Sequence, residues 1–442
     1  MEFFNHLALG FGVALASPNL LLAFAGCVLG LLLAVLPGIA PVAAMAMLLP
    51  ATYSLQPVSA LILLAALYFG AQCGSASAAL LRDPLVQQAR PGPALVAAAL
   101  GTFFAACVGT LVLALLAPVL TGLALQFGPS ETFALMVLGL VGCVVLSAGT
   151  VLKALALAVL GLLLGLVGTE AHSGTVRFAF DIAELGDGIG VVVIAMGIFG
   201  YGDILSTLGQ PQTLVQPLRP AVAIKAQDLW PTLQDFRPLA PAMLRGSVRS
   251  AGAAMALLAL LAWGLPLNAV MALMLGPLTL HQAPPAPPAM GASPALLWGL
   301  VASLWLVHGM LLALNLPLVG IWSRLLRWPY RWLFPALVLV AALGAYTLNH
   351  SIVDIWLVAA FGLLGYLLHK LDMAPMPLLL GFVLAPRMED TLRGALQLSN
   401  GDWSVFAMRP LSASLLLLAL SLPMLVMLPL IQSWRARVFA KV

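Results

Sequence analysis

Charge is what this sequence has least of. Asp, Glu, Lys and Arg make up 8% of its 442 residues, against roughly a quarter in an ordinary soluble domain. So few charges cannot cover a water-facing surface, which excludes a soluble globular enzyme, a disordered chain and a nucleic-acid binder. Cysteine is scarce as well. The four cysteines, Cys27, Cys73, Cys107 and Cys143, lie far apart inside apolar stretches without C-x-x-C spacing, so they read as small packing residues rather than disulfide partners or metal ligands. No Walker A loop is present, which excludes nucleotide hydrolysis by this chain. No H-E-x-x-H pair and no Gly-x-Ser-x-Gly elbow occurs, so neither a metalloprotease centre nor a serine-hydrolase nucleophile is visible. No arginine-rich voltage-sensor helix occurs either. No basic n-region precedes the first apolar stretch, so no removable signal peptide is expected.

What the sequence does have is apolar length. Hydrophobic residues make up 62% of it, and the mean hydropathy is +1.09. A bilayer-crossing helix needs about 20 predominantly apolar residues. Candidate spans lie near 20–36, 58–76, 94–117, 133–148, 151–168, 189–205, 250–278, 295–318, 334–350, 352–369 and 411–431. Two shorter runs, 39–52 and 375–386, could cross or re-enter. The expected fold is an all-α polytopic membrane protein with about 11–13 transmembrane or re-entrant helices. Open sheets are excluded within the bilayer because their edges would leave backbone groups unpaired. The chain divides into an N-terminal membrane half (1–205), a connecting loop (206–249) and a C-terminal membrane half (250–442).

Basic residues orient the bundle. Loop 206–249 carries Arg219, Lys225, Arg237, Arg245 and Arg249, loop 319–333 carries Arg324, Arg327 and Arg331, and the tail carries Arg435, Arg437 and Lys441. These stretches belong in the cytoplasm. The proline-rich loop 279–294, free of Lys and Arg, and the acidic loop 169–188 belong outside.

Six residues are candidates for a substrate path: Pro37, Gly38, Gln72, Gly74, Ser75 and Ser77. Leu36-Pro37-Gly38-Ile39-Ala40-Pro41 interrupts two apolar half-segments. Proline breaks the helical hydrogen-bond ladder and glycine lets the chain turn. Such broken helices can aim backbone N–H groups at an anion, and a plain kink or turn explains the same residues without a ligand. In Tyr68-Phe69-Gly70-Ala71-Gln72-Cys73-Gly74-Ser75-Ala76-Ser77 the amide and hydroxyls offer neutral ligand groups, while tight helix packing explains the small residues equally well. Gly200-Tyr201-Gly202-Asp203 matches the G-x-G-D of intramembrane aspartyl proteases, but no second carboxylate accompanies it in the neighbouring segments. Lys153 can snorkel, His308 reads as a hydrogen-bonded core residue and Asp354 as an interfacial cap.

Several stretches resemble the large membrane subunit of bacterial tripartite tricarboxylate transporters, the TctA family. They are Gly10 to Leu15, Pro18-Asn19-Leu20-Leu21, Leu36-Pro37-Gly38, Tyr68 to Gln72, Phe127-Gly128-Pro129-Ser130-Glu131 and Ala195 to Asp203. Leu314 to Gly320, Tyr346 to Trp356 and Gly401 to Phe406 have the same character. The resemblance implies a permease of the bacterial inner membrane with a cytoplasmic C-terminus. It implies a small membrane subunit and a periplasmic solute-binding protein as partners, and import of a small organic anion. A sodium ion or proton is implied as the coupling cation, and an inverted repeat with one Pro-Gly break in each half.

The second half departs from that pattern. After Arg245-Gly246 the family has a further Pro-Gly break and a polar stretch. Here Ala251–Trp263 runs directly into Gly264-Leu265-Pro266-Leu267-Asn268-Ala269, with Leu267 where the turn glycine belongs. The repeat is therefore expected to be eroded. Two readings stand: a divergent permease, or a subunit that no longer transports and acts as a scaffold or regulator of an intact paralogue.

Overall fold

A computed structural model describes residues 2–35, 41–52, 54–82, 91–124, 126–147, 149–170, 173–208, 252–280, 294–325 and 330–427. The sequence-derived turn at Pro37-Gly38 and most of the connecting loop 206–249 lie outside these residues. The first half contains α1 (Glu2–Ala14), α2 (Ser17–Val35), α3 (Pro41–Thr52), α4 (Pro57–Arg82), α5 (Pro91–Ala124), α6 (Pro129–Leu146) and α7 (Val151–Gly165). A hairpin of β1 (Gly168–Thr169) and β2 (Val176–Arg177) follows. Next come α8 (Val191–Ala195), a π-turn over Met196–Tyr201, and α9 (Gly202–Leu208). The second half contains α10 (Gly252–Trp263), α11 (Ala269–Leu280), α12 (Pro294–Leu325), α13 (Tyr330–Asn349), α14 (Ile352–Lys370), α15 (Met376–Leu398), α16 (Val405–Met408) and α17 (Pro410–Met427).

The protein is thus an all-α polytopic membrane protein. Among the described residues five helices are long and apolar enough to cross a bilayer alone: Pro57–Ser77, Val96–Leu120, Pro129–Leu146, Pro294–Asn315 and Ile352–Lys370. The pair α1–α2 meets the same length and apolarity only when taken together, bent by 74°, the form of a broken span or of a re-entrant loop. The bend is held by Asn19, whose side-chain amide donates to the Val13 carbonyl at 2.8 Å while its own carbonyl accepts from the Ser59 hydroxyl at 2.6 Å. The motif Pro18-Asn19 therefore secures a corner.

Two expectations need correction. The span read as continuous over 250–278 is broken at Gly264–Asn268 into α10 and α11. The run 375–386 is only the apolar first half of α15, which continues to Leu398 because its polar second half lies against the hairpin. A hairpin of two-residue strands, Gly168–Thr169 and Val176–Arg177, at the end of one span and in the loop after it, is consistent with the exclusion of open sheets from the bilayer. Its register pairs Gly168 with Arg177 and Thr169 with Val176.

Small residues let neighbouring helices approach closely, and the close pairs run parallel. A Cβ at Gly26 of α2 would lie 2.6 Å from the Leu63 carbonyl oxygen of α4, and Gly30 meets Leu67 one turn on. On α7, Gly161 and Gly165 face the Leu378 and Phe382 carbonyls of α15 with no room for a side chain. Lys153 at the start of α7 donates to the Leu371 carbonyl at 3.0 Å, at the same end of that pair. Gly197 and Gly202 press on Phe361 and Gly365 of α14. The protease-like Gly200-Tyr201-Gly202-Asp203 is thus a π-turn packed on a neighbouring helix, with the Tyr201 hydroxyl donating to the Val338 carbonyl at 3.0 Å. α4 and α12 also run together: Val58 meets Gly299, the Phe69 ring meets His308 at 4.9 Å, and Ser77 meets Asn315.

The core lies where α3, α8, the π-turn, α10 and α11 converge. Met45, Ala46 and Leu49 of α3 are fully buried, as are Met271, Ala272, Leu273 and Met274 of α11. A 12-residue helix cannot bury itself in lipid without neighbours, and here protein encloses α11 from Ala269 to Leu278 and covers α3 at Met45, Ala46 and Leu49.

Candidate functional site

Two polar regions are built on this scaffold. The inner one forms where α4 passes the start of α11. Tyr68 is buried, and its hydroxyl is within hydrogen-bonding reach of the side chains of Gln72, one turn further along α4, and Asn268. Asn268 is the N-cap of α11: its side-chain oxygen accepts from the Met271 N–H at 2.8 Å. Asparagine suits this position because it pairs one of the four N–H groups that a helix start leaves without an internal partner. The break at Gly264-Leu265-Pro266 is thus tied to the first half of the chain by neutral hydrogen-bonding groups.

The sequence candidates on α4 separate here. Gln72 belongs to the inner region. Gly74 is buried on the same helix. Ser77 pairs with Asn315 of α12, accepting from the Asn315 amide at 2.9 Å. Ser75 is exposed and its hydroxyl turns back onto the Gln72 carbonyl at 2.9 Å, so it points away from the others. Pro37 and Gly38 lie outside the described residues. His308 behaves as a core residue, buried with Thr110 at 3.2 Å from its Nε2. Asp354 sits in the first turn of α14 and accepts from the Asn349 amide at 2.9 Å, beside the capping Ser351. Asn268 and Asn315 were not singled out as partners in the sequence. The proline at 266 followed by an asparagine ahead of an apolar run was a readable cap signal.

The outer region is a cavity of about 380 Å3 between the end of α7, the hairpin, the start of α8, α11 and the middle of α15. Leu275 and Gly276 of α11 form part of its wall, about two helical turns beyond Asn268. The fully buried Met271–Met274 segment lies between the two regions. Over the cavity four side chains alternate in charge and close a ring. Arg177 contacts Glu170 and Glu389, and Arg393 contacts the same two carboxylates. Arg177 lies 2.9 Å from Glu389, and Arg393 lies 2.8 Å from it, one turn along α15. The Ser173 hydroxyl, together with the two arginines, holds the Glu170 carboxyl below the usual carboxylate range. The sequence showed Arg177 within an acidic loop, but its helix partners lie more than 200 residues away. Pro386 lines the same cavity and divides α15 into a buried apolar first half and this charged second half.

Other resemblance motifs also find structural roles. In Phe127-Gly128-Pro129-Ser130-Glu131, Glu131 receives Arg409 at 3.1 Å and the Ser130 hydroxyl at 3.0 Å. A Cβ at Gly128 would fall 2.8 Å from that carboxylate. In Gly401-Asp402-Trp403-Ser404, Asp402 accepts from both the N–H and the hydroxyl of Ser404. Among the described residues no group of three or more His, Cys, Asp or Glu side chains is arranged to hold a metal.

Known proteins place the chain. It is 38% identical to an uncharacterized 52.8 kDa protein in the TAR-I ttuC' 3' region of Agrobacterium vitis, over 504 aligned positions that take in all of this chain and 99% of the relative. It is 43% identical over 195 residues to an uncharacterized protein in the TAR-II ttuC' 3' region of the same organism, covering 44% of this chain and 81% of the relative. No solved structure matches. The profile of the tripartite tricarboxylate transporter TctA family matches residues 20–251 and 246–380. Its two segments overlap at 246–251. Over most of its length the chain belongs to the tripartite tricarboxylate transporter TctA family.

Proposed function

We propose that this protein is the large membrane subunit of a binding-protein-dependent secondary transporter, importing tricarboxylates or related small organic anions. The observation that carries the reading is the meeting of Tyr68 and Gln72 with Asn268, which joins the two halves at a helix break in a chain of this family. Neutral amide and hydroxyl groups at a helix start can replace part of an anion's hydration shell. Gly74, Ser77 and the Pro37-Gly38 turn extend that path in this reading, and Ser75, turned onto its own helix, leaves it. A small membrane subunit and a periplasmic solute-binding protein complete the system. It works in the bacterial inner membrane with the C-terminus in the cytoplasm, and an inward sodium or proton gradient drives it.

A second reading has its own support. The family profile matches in two separate segments that overlap at 246–251, and Met271–Met274 is fully buried between the inner and outer regions. Both fit a subunit that has kept the scaffold and lost transport. Uptake of a labelled carboxylate panel separates the two, in cells lacking endogenous carriers and co-expressing the neighbouring small subunit and binding protein. Uptake that needs this chain, and that stops when one ion gradient is collapsed, is expected. Its absence despite verified insertion and partner expression favours the scaffold.

A further inference from the structure

The ring over the outer cavity has the form of an occupied carboxylate site. Two guanidiniums, Arg177 on the hairpin and Arg393 on α15, share two carboxylates, and those carboxylates belong to the protein itself. They are not held equally. Glu170 is 7% exposed and is also bonded by the Ser173 hydroxyl at 2.6 Å and the Thr175 hydroxyl at 3.3 Å. Glu389 is 22% exposed, and its ion pairs are with the two arginines. It is the member that can leave at least cost.

We propose that Arg177 and Arg393 form an outer receiving site for a small polycarboxylate, and that Glu389 is the built-in carboxylate which the ligand displaces. The inference rests on the transport reading above, since it places a site for the transported anion ahead of the inner region. The cavity's volume is within the range of small-molecule sites, roughly 300–1,000 Å3. One ligand carboxylate takes the place of Glu389 across the two arginines. Guanidinium suits this exchange because its planar fork accepts any carboxylate in the same geometry. A monocarboxylate gains nothing, because it competes against a tethered glutamate at high effective concentration. A second carboxylate changes the balance, because the cavity wall offers another basic residue, Arg387, whose charge partner is Asp390. Asp187 adds an acid to the wall. The neutral ring and the Arg387–Asp390 pair leave the site net negative, so the ligand is received weakly, as a transit site requires.

The test is binding of labelled acetate, succinate and citrate to the purified full-length chain and to its Glu389→Gln, Arg177→Gln and Arg393→Gln variants. Removing the competing charge in the near-isosteric Glu389→Gln is expected to tighten succinate and citrate about tenfold, and either arginine variant to weaken them by about the same factor. Acetate remains unbound by the wild type. A Glu389→Gln protein with unchanged or weaker affinity overturns the proposal, and this variant decides the matter even if an arginine variant misfolds. Carboxylate uptake that persists with affinities unmoved by all three substitutions removes the outer site and leaves the transport reading standing. A wild type that neither binds nor transports any acid of the panel removes both.

Discussion

The inner and outer polar regions stand about two helical turns apart along α11 and are built on opposite principles. The inner one contains no formal charge: Tyr68, Gln72 and Asn268 are neutral groups in a packed environment. The outer one is a ring of four ionised side chains, each 7–38% exposed. Solvation explains the contrast. A charge inside the bundle costs several kcal/mol unless paired, so depth favours groups that can bond an anion without carrying a charge of their own. At the cavity mouth water screens each ion, and isolated pairs there contribute about 1 kcal/mol or less. Such pairs can be exchanged cheaply, whereas the inner hydrogen bonds hold a helix start in place.

Three measurements test this contrast. The largest effect is expected from Gln72→Leu, which removes a neutral partner from the inner region and leaves the Tyr68 hydroxyl with one fewer bond. Uptake should fall at least tenfold, by the loss of a half-buried hydrogen-bonding group, in a protein that still inserts and is recovered in normal amounts. Full uptake by that variant would remove Gln72 from the path. A smaller effect is expected from Gly161→Leu. Its side chain has no space against the Leu378 carbonyl, so α7 and α15 must separate, at about 1–3 kcal/mol for overpacking. Thermal unfolding in detergent should register the loss, and an unshifted midpoint would show that the pair is looser than its packing indicates.

The smallest effect concerns pH. The carboxyl of Glu170 is held below its ordinary value of 4.5, first by the Ser173 hydroxyl and then by the arginines. A depressed folded-state pKa gives a stabilisation that is complete above the unfolded value and is lost as pH falls through the folded one. The protection of the 173–177 amides against hydrogen exchange, with each rate corrected for the intrinsic pH dependence of exchange, should therefore stay constant from neutral pH down to about 4.5 and fall only below it. The inner region, free of titrating carboxylates, should show no such step. Protection that falls well above pH 4.5 would place another group in control of the hairpin.

Much of this architecture was legible in the sequence, because apolar length is a direct signature of a membrane helix. The limits were equally physical. α1 escaped notice because 13 residues make no crossing, and its place depends on a corner secured by Asn19 and Ser59, 40 residues apart. The helix 376–398 looked short because its second half is polar, and only the hairpin opposite explains that polarity. Gln72 could be named from its type. Its partner Asn268 could not, because pairing across nearly 200 residues leaves no local pattern. The same holds for Arg177 and Glu389. The π-turn at Met196–Tyr201 illustrates the reverse: Gly200-Tyr201-Gly202-Asp203 suggested chemistry, and its glycines are spent on packing, Gly200 against Met47 of α3 and Gly202 against Gly365 of α14.

Pro386 stands where α15 changes its partners. A proline supplies no N–H to the carbonyl four residues before it, so the Phe382 carbonyl lacks the intrahelical donor that position 386 would otherwise provide. That carbonyl is the one against which Gly165 of α7 is pressed. Below it α15 is clamped to α7, and above it the charged half meets the hairpin through ion pairs and packs against Pro129 of α6 through Gly394. One helix thus joins two kinds of contact end to end, with Glu389 and Arg393 carried to the hairpin by the half that follows the proline.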